Sequence, residues 1–191
     1  MLYACCALPR SGKSTFANFW VMHHPNRAIV SGDAIRLALT GQRYNPSAEG
    51  VVESTRNLMI KSLLLRNATV LHDGTNTTLR SVGTLEKIAK NTNEKLTWII
   101  FETPPDICKD RAIKTKQEDL ICVIDRMMME FPSTRKYLID KYSGKDGPVK
   151  LDENTVNAKI IHDFDGDVCL CVDNNGKISR RRTNLIRIIH R

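Results

Sequence analysis

Residues 6–15 read CALPRSGKST, a polar loop ending in Gly12-Lys13-Ser14 and set between an apolar run, Leu2 to Cys6, and an amphipathic one, Thr15 to His23. The apolar run has the length and continuity of a strand buried on both faces, and Phe16, Ala17, Phe19 and Trp20 give the following run one apolar side. Strand, tight loop and helix in that order match the pattern Gly, four residues, Gly-Lys-Ser/Thr, with Ala7 where the leading glycine stands. In such a loop the backbone N–H groups point at phosphate oxygens, helped by the positive end of the helix. Pro9, Arg10, Ser11, Gly12, Lys13, Ser14 and Thr15 are thus the expected nucleotide-binding set. Lys13 reaches the β/γ-phosphates, and the Ser14 hydroxyl holds Mg²⁺. Alanine at position 7 stays small but gives up glycine's access to positive φ, and Pro9 stiffens the turn. A surface Gly-Lys-Ser before an ordinary helix is the bland alternative, and the flanking strand and helix argue against it.

The rest of the chain repeats the alternation of apolar strand and helical pattern, which predicts a parallel α/β sheet of four to five strands. Strands are expected at Ala28 to Ser31, Ala68 to His72 and Leu96 to Glu102. Ser47 is expected to cap a helix whose buried face carries Val51, Val52, Thr55, Leu58, Met59 and Leu63. Further helices are expected over Leu79 to Asn91, from Thr103-Pro-Pro-Asp106 onward, over Asp119 to Phe131, and over Ser133 to Tyr142. From Ser143 the composition shifts. A loop leads to short strand-like runs after Lys159, punctuated by the turn signals Asp165-Gly166 and Asn175-Gly176. The expected organisation is a nucleotide-binding domain over 1–142 and a small β-rich, basic extension over 143–191.

At 191 residues and 41% hydrophobic, the chain can bury one sizeable core. No apolar run reaches the ~18 residues of a membrane span, and the first residues go straight into the strand rather than into a leader. Cys5, Cys6, Cys108, Cys122, Cys169 and Cys171 lack zinc-site spacing. A cytoplasmic setting is expected, with oligomeric state left open. The formal net charge is +8, from 29 basic against 21 acidic side chains. After Asp173 the chain has no acidic residue, while Lys177, Arg180, Arg181, Arg182, Arg187 and Arg191 follow. That asymmetry suits a polyanion such as nucleic acid, or a plain solvated tail.

Phosphoryl transfer to a hydroxyl also needs a base, a carboxylate that organises metal, and further cations. Asp33 follows the second strand at the edge where open α/β sheets bind ligands, and Arg36 shares its face three residues on. Alternatively, Asp33 caps a helix over Ala34 to Leu39 and Arg36 is surface. Val70-Leu71-His72-Asp73 ends a strand in aspartate, a placement that organises Mg²⁺ or its water shell; an ordinary Asp-Gly turn is the alternative. Arg80 faces either the acceptor or solvent. Lys109, Arg111, Lys114 and Lys116 lie where small phosphate-loop kinases place a basic lid, and Arg111 is the candidate among them because its fork pairs phosphate oxygens bidentately.

CALPRSGKST, SGDAIR and VLHDGTN followed by basic residues resemble the kinase half of phage-type 5′-polynucleotide kinases, over roughly residues 1 to 142. The resemblance implies the P-loop kinase fold and an ATP- and Mg²⁺-dependent transfer of the γ-phosphoryl group to the 5′-hydroxyl of DNA or RNA ends. It makes Lys13 and Ser14 ligands of ATP and metal, Asp33 the base, and Arg36 a contact to the neighbouring phosphate. Asp73 becomes a further active-site carboxylate acting through water on the metal, and Arg111 a catalytic lid cation. Asp73, Asn76 and Arg80 complete the acceptor side. KIIHDFDGD, residues 159–167, resembles the start of the phosphatase half of the bifunctional phage enzymes. Asp163, Asp165 and Gly166 fit, Asp167 replaces a threonine, and too few residues follow for a domain; a hairpin is expected there. Two other readings remain: a small-molecule or nucleotide-sugar kinase, zeta-toxin-like enzymes included, and a non-catalytic nucleotide-gated binding module.

Overall fold

The structure is a computed structural model that describes residues 1–22 and 24–142, and beyond them the backbone of strand residues 149–151, 161–163, 168–172 and 178–179. β1 (Leu2–Cys6), β2 (Arg27–Ser31), β3 (Thr69–Asp73), β4 (Leu96–Phe101) and β5 (Val149–Leu151) form one parallel sheet in the order β2-β3-β1-β4-β5. Every link between neighbours is therefore a crossover, and all carboxyl ends lie at one edge. β1 is central, with Leu2 opposite both Val70 and Leu96. The fifth strand comes from beyond Tyr142. Separately, β6 (Ile161–Asp163), β7 (Val168–Val172) and β8 (Ile178–Ser179) form an antiparallel sheet. The turn residues Asp165, Gly166, Asp167, Asn175 and Gly176 lie outside the described residues, as does the tail from Arg180.

Alternation along β1 divides the core. Leu2, Ala4 and Cys6 point to one face, packed with Val70, Val82, Leu85, Trp98 and Ile100. Tyr3 and Cys5 point to the other, packed with Phe16, Ala17, Trp20, Ile99 and Phe101. Both faces are thus covered, as a parallel sheet requires. α1 (Lys13–Met22) supplies Phe16, Ala17 and Trp20 to the second face. It starts two residues before the expected Thr15, so Lys13 and Ser14 belong to its first turn.

Two expectations are corrected. Ser47 does not cap α3 (Glu49–Leu64): Asn45 Oδ1 accepts from Ser47 N at 3.2 Å to close a 3-10 turn over Pro46–Ala48, and α3 begins without a side-chain cap. The buried side of α3 is Val52, Ile60 and Leu64, whereas Val51, Leu58 and Met59 face solvent. Of the expected face Val52 is buried and Leu63 packs against the core; apolar residues surround this helix, so periodicity alone did not select the buried side. α4 (Leu79–Asn91) matches expectation, capped by Thr78 Oγ1. α5 (Pro105–Lys114) starts at a proline, which suits a first turn that lacks N–H partners. α6 (Asp119–Met128) and α7 (Phe131–Lys141) follow. No helix among the described residues is long and apolar enough to cross a membrane.

Candidate active site

The carboxyl edge of the sheet opens into a cavity of about 1280 Å³, lined by the loop after β1, the start of α2 (Gly32–Thr40), the turn after β3, and parts of α3, α5 and α6. The loop takes left-handed backbone at Arg10 (φ 63°) and Gly12 (φ 99°), and none at Ala7. Alanine at position 7 therefore costs no strain, and its N–H donates to Thr75 O at 2.8 Å. From the far side, Thr103 Oγ1 donates to Ser11 O at 3.0 Å, and Arg111 Nη1 lies 3.3 Å from Arg10 O and 3.4 Å from Ser11 O. The peptide unit is trans and planar, so a Ser11 carbonyl turned toward Thr103 turns the Gly12 N–H the opposite way. Thr103, just past β4, and Arg111 of α5 thus fix the loop from behind.

Lys13 and Asp73 are both buried at the cavity floor. Burial raises the Asp73 carboxyl above its ordinary pKa, against the pull of Lys13 and a hydrogen bond from Ser14, while Asp33 pushes the same way as burial. Asp73 Oδ1 is buried with no hydrogen-bond partner. A hydroxyl and a carboxylate oxygen with an open valence are hard donors, and Mg²⁺ is commonly held by one or two carboxylates plus substrate phosphates. Ser14 and Asp73 fit that ion.

The turn after β3 is held by side chains. Asn76 Nδ2 donates to Cys5 O at 2.7 Å and lies 3.1 Å from His72 Nδ1. Asn76 is nearly fully buried, so its amide ties β3 to β1. Burial, then Arg56 and Lys13, lower the His72 imidazole from 6.5 to about 3, which keeps it neutral. Gly74 passes so close that an added Cβ would lie 2.5 Å from His72 Cε1.

Asp33 stands across the cavity in the first turn of α2. Ser31 is the N-cap, its Oγ accepting from Ala34 N at 3.5 Å, so Asp33 is not the cap. Its side chain is 75% exposed and its Oδ1 accepts from Arg36 Nη1 at 2.6 Å. The other side of the Arg36 guanidinium is held by Glu49, with Nε to Oε1 at 2.6 Å and Nη2 to Oε2 at 2.8 Å. That bond is the main reason the Arg36 pKa is raised and the Glu49 pKa lowered. Arg111 lines the cavity, while Lys109 pairs with Asp125 at 2.6 Å. Lys114 and Lys116 are exposed outside the lining, and so is Arg80 on α4. Glu49, Arg56 and Arg126 had no local motif to mark them, and His72 and Thr103 stood out only as part of a strand and of a helix start. The glutamate lies thirteen residues beyond the arginine it holds, a spacing no pattern encodes.

A family model described as an AAA domain matches residues 2–132, which takes in the phosphate loop, Asp33, Asp73 and Arg111. The chain belongs to the AAA domain family. Among solved structures, this AAA domain is similar to a chain of the "Pnkp1/Rnl/Hen1 RNA repair complex", with TM-score 0.62 and 22% identity over 71% of this chain and 45% of that one. A second structure of the Pnkp1/Rnl/Hen1 complex matches with TM-score 0.53 and 26% identity, over 58% of this chain and 38% of that one. A candidate kinase from Chloroflexus aurantiacus matches with TM-score 0.56 and 11% identity, over 79% and 86%. The AAA domain chain thus spans less than half the length of the repair-complex chains. No curated protein matches it. The fold is the P-loop kinase fold, an α/β sheet flanked by helices, and it carries a nucleotide-binding loop.

Proposed function

We propose that the chain transfers the γ-phosphoryl group of ATP to the 5′-hydroxyl of a DNA or RNA end. The observation that carries this reading is the shared cavity: an exposed carboxylate, Asp33, held by Arg36, faces the phosphate loop and Asp73 across one open space. Positioning and charge do most of the work in such a transfer. Asp33 takes the hydroxyl proton as the acceptor oxygen bonds to the γ-phosphorus and the bond to the leaving ADP oxygen breaks. Arg36 keeps the Asp33 carboxylate aimed. Lys13, together with Arg111 from α5, neutralises the transferring phosphates. Ser14 and Asp73 are the residues that would hold magnesium, which would supply further charge neutralisation of the phosphates. The likeness to chains of an RNA repair complex and the cationic lining from Arg43, Arg56 and Arg126 support a nucleic-acid acceptor.

One observation favours a second reading, a small-molecule P-loop kinase: both carboxylates on Arg36 occupy donors that a nucleic-acid phosphate would need. Labelled ATP offered with 5′-hydroxyl oligonucleotides and with small sugars separates the two. Label on oligonucleotides is the expected result; label on sugars alone overturns the proposal. ATP binding without any transfer would leave a nucleotide-gated binding module.

A further inference from the structure

Arg56, on the third turn of α3, lines the same cavity and has no part in the transfer as derived above. Its side chain is only 20% exposed. A cation withdrawn this far from water needs close counter-charge or good hydrogen bonds, because desolvation otherwise exceeds what the pair returns. Arg56 has little of either. Glu53 Oε1 stands 3.5 Å from Nη2 and is itself 46% exposed. The neighbouring amide, Asn57 Oδ1, accepts from Nε at 3.3 Å and from Nη2 at 3.1 Å. The other carboxylate on this helix, Glu49, is already held on two oxygens by Arg36. Burial accordingly lowers the Arg56 pKa, and Arg36 adds repulsion against the partial relief from Glu53 and Glu49.

Its neighbours place it on the acceptor side. α3 also carries Glu49, which holds Arg36 of α2, and Arg56 lines the cavity together with Asp33 and Asp73. Lys13 and Arg111 serve the phosphate loop, whereas Arg56 lies toward the wall that carries Asp33. We propose that Arg56 is the grip for a phosphate of the acceptor, and that Arg36, committed to Asp33 and Glu49, is the positioning residue for the base. The ligand class is an acceptor that carries both a free hydroxyl and a phosphomonoester or diester one sugar away, such as a nucleoside 3′-monophosphate or the 5′ end of a strand. A guanidinium suits that role because it meets two phosphate oxygens with two parallel N–H bonds. The inference rests on the proposed acceptor class and deepens it.

The test compares a nucleoside 3′-monophosphate with the same nucleoside lacking the phosphate, using the full chain with Arg56→Ala, Arg56→Gln and Arg56→Lys. Loss of charge-assisted hydrogen bonds should reduce preference for the phosphate-bearing acceptor by about tenfold to a hundredfold in kcat/KM, with Arg56→Lys in between. ATP affinity should move less than about twofold on that account, since the lost bonds are to the acceptor. Calorimetric binding of the nucleoside 3′-monophosphate should weaken by the same factor in the alanine and glutamine variants, with thermal melts of all three checking that they fold. An unchanged preference and unchanged binding would overturn the grip. So would a loss shared equally by both acceptors, because that is what a purely structural arginine gives. A chain that phosphorylates neither nucleoside nor oligonucleotide, yet binds the 3′-monophosphate through Arg56, would overturn the kinase reading and keep the anion site.

Discussion

Asp33 stays exposed while the groups that organise it, Arg36 and Glu49, are half-buried. Aspartate to asparagine at this position keeps a hydrogen bond to Arg36 but removes the proton acceptor. Turnover on a 5′-hydroxyl oligonucleotide should fall about a hundredfold or more, with ATP affinity by calorimetry unaltered. Equal turnover would leave Asp33 as an acid that merely suits the first turn of a helix. His72 gives a residue-scale prediction of another kind. Its folded pKa, about 3, lies below the unfolded 6.5, so on acidification the unfolded chain takes up a proton that the fold refuses. Stability should therefore fall as pH drops below 6.5 toward 3, by about 1 kcal/mol per pH unit from this group. Urea midpoints at pH 7.5, 6 and 5 for the wild type and His72→Gln would check it: the wild type should lose ground against the variant as pH falls. Parallel curves would mean that His72 takes up its proton within the fold. At this scale the motif residues Lys13, Ser14 and Asp73 were legible because their chemistry is tied to fixed local spacing. Glu49 and Arg56 were not: Glu49 acts through Arg36 on another helix, and Arg56 matters only because α3 brings it to the cavity.

Elements were legible wherever burial dictates the pattern. β1 and β4 are nearly uninterrupted apolar runs, so their strands fall within a residue of expectation. α3 was harder. Val51, Val52, Leu58, Met59, Ile60, Leu63 and Leu64 cover more than one side of the helix, and only contact with the sheet decides which side is buried. The Asn45 turn took the place of the Ser47 cap because an asparagine side chain imitates a backbone turn two residues on. The turn after β3 carries a sharp test. Gly74→Ala puts a Cβ 2.5 Å from His72 Cε1 and 2.8 Å from its Nε2, inside a packed region where the ring is 1% exposed. Overpacking of this kind costs about 1–3 kcal/mol, and the displaced His72 and Asn76 should raise the KM for ATP. Gly83→Ala on α4 meets no atom within 4 Å and should instead stabilise the helix by about 0.5–1 kcal/mol. Urea denaturation of both variants, with ATP kinetics on the first, measures the contrast. Equal stabilities would mean that the turn relaxes freely.

For the whole molecule, alternation of strand and helix announced the parallel sheet, but the fifth strand did not stand out. Val149–Leu151 is three residues long, too short to leave a pattern, and takes its place only by pairing with β4. The net charge of +8 belongs to this scale too. If Arg180, Arg181 and Arg182 touch only distant backbone, replacing all three should weaken long oligonucleotides at low salt and spare mononucleotides, because the contribution comes from counterion release. Titrations of a mononucleotide and of a long strand at two salt concentrations would show it. A loss that ignored both length and salt would place those arginines at the cavity instead.

The strand order also has a consequence in time. β1 is made well before both of its neighbours in the sheet, Thr69–Asp73 and Leu96–Phe101. Thr103 and Arg111, which hold the loop carbonyls, come later still. During synthesis, then, CALPRSGKST leaves the ribosome attached to a hydrophobic strand with nothing to pair against until Thr69–Asp73 has been made, some sixty residues later. Non-local pairing of this sort is slow, and an exposed strand edge invites wrong partners. The β1 segment is therefore the part of the nascent domain most open to aggregation, and its loop is held in final form only once Arg111 has been made.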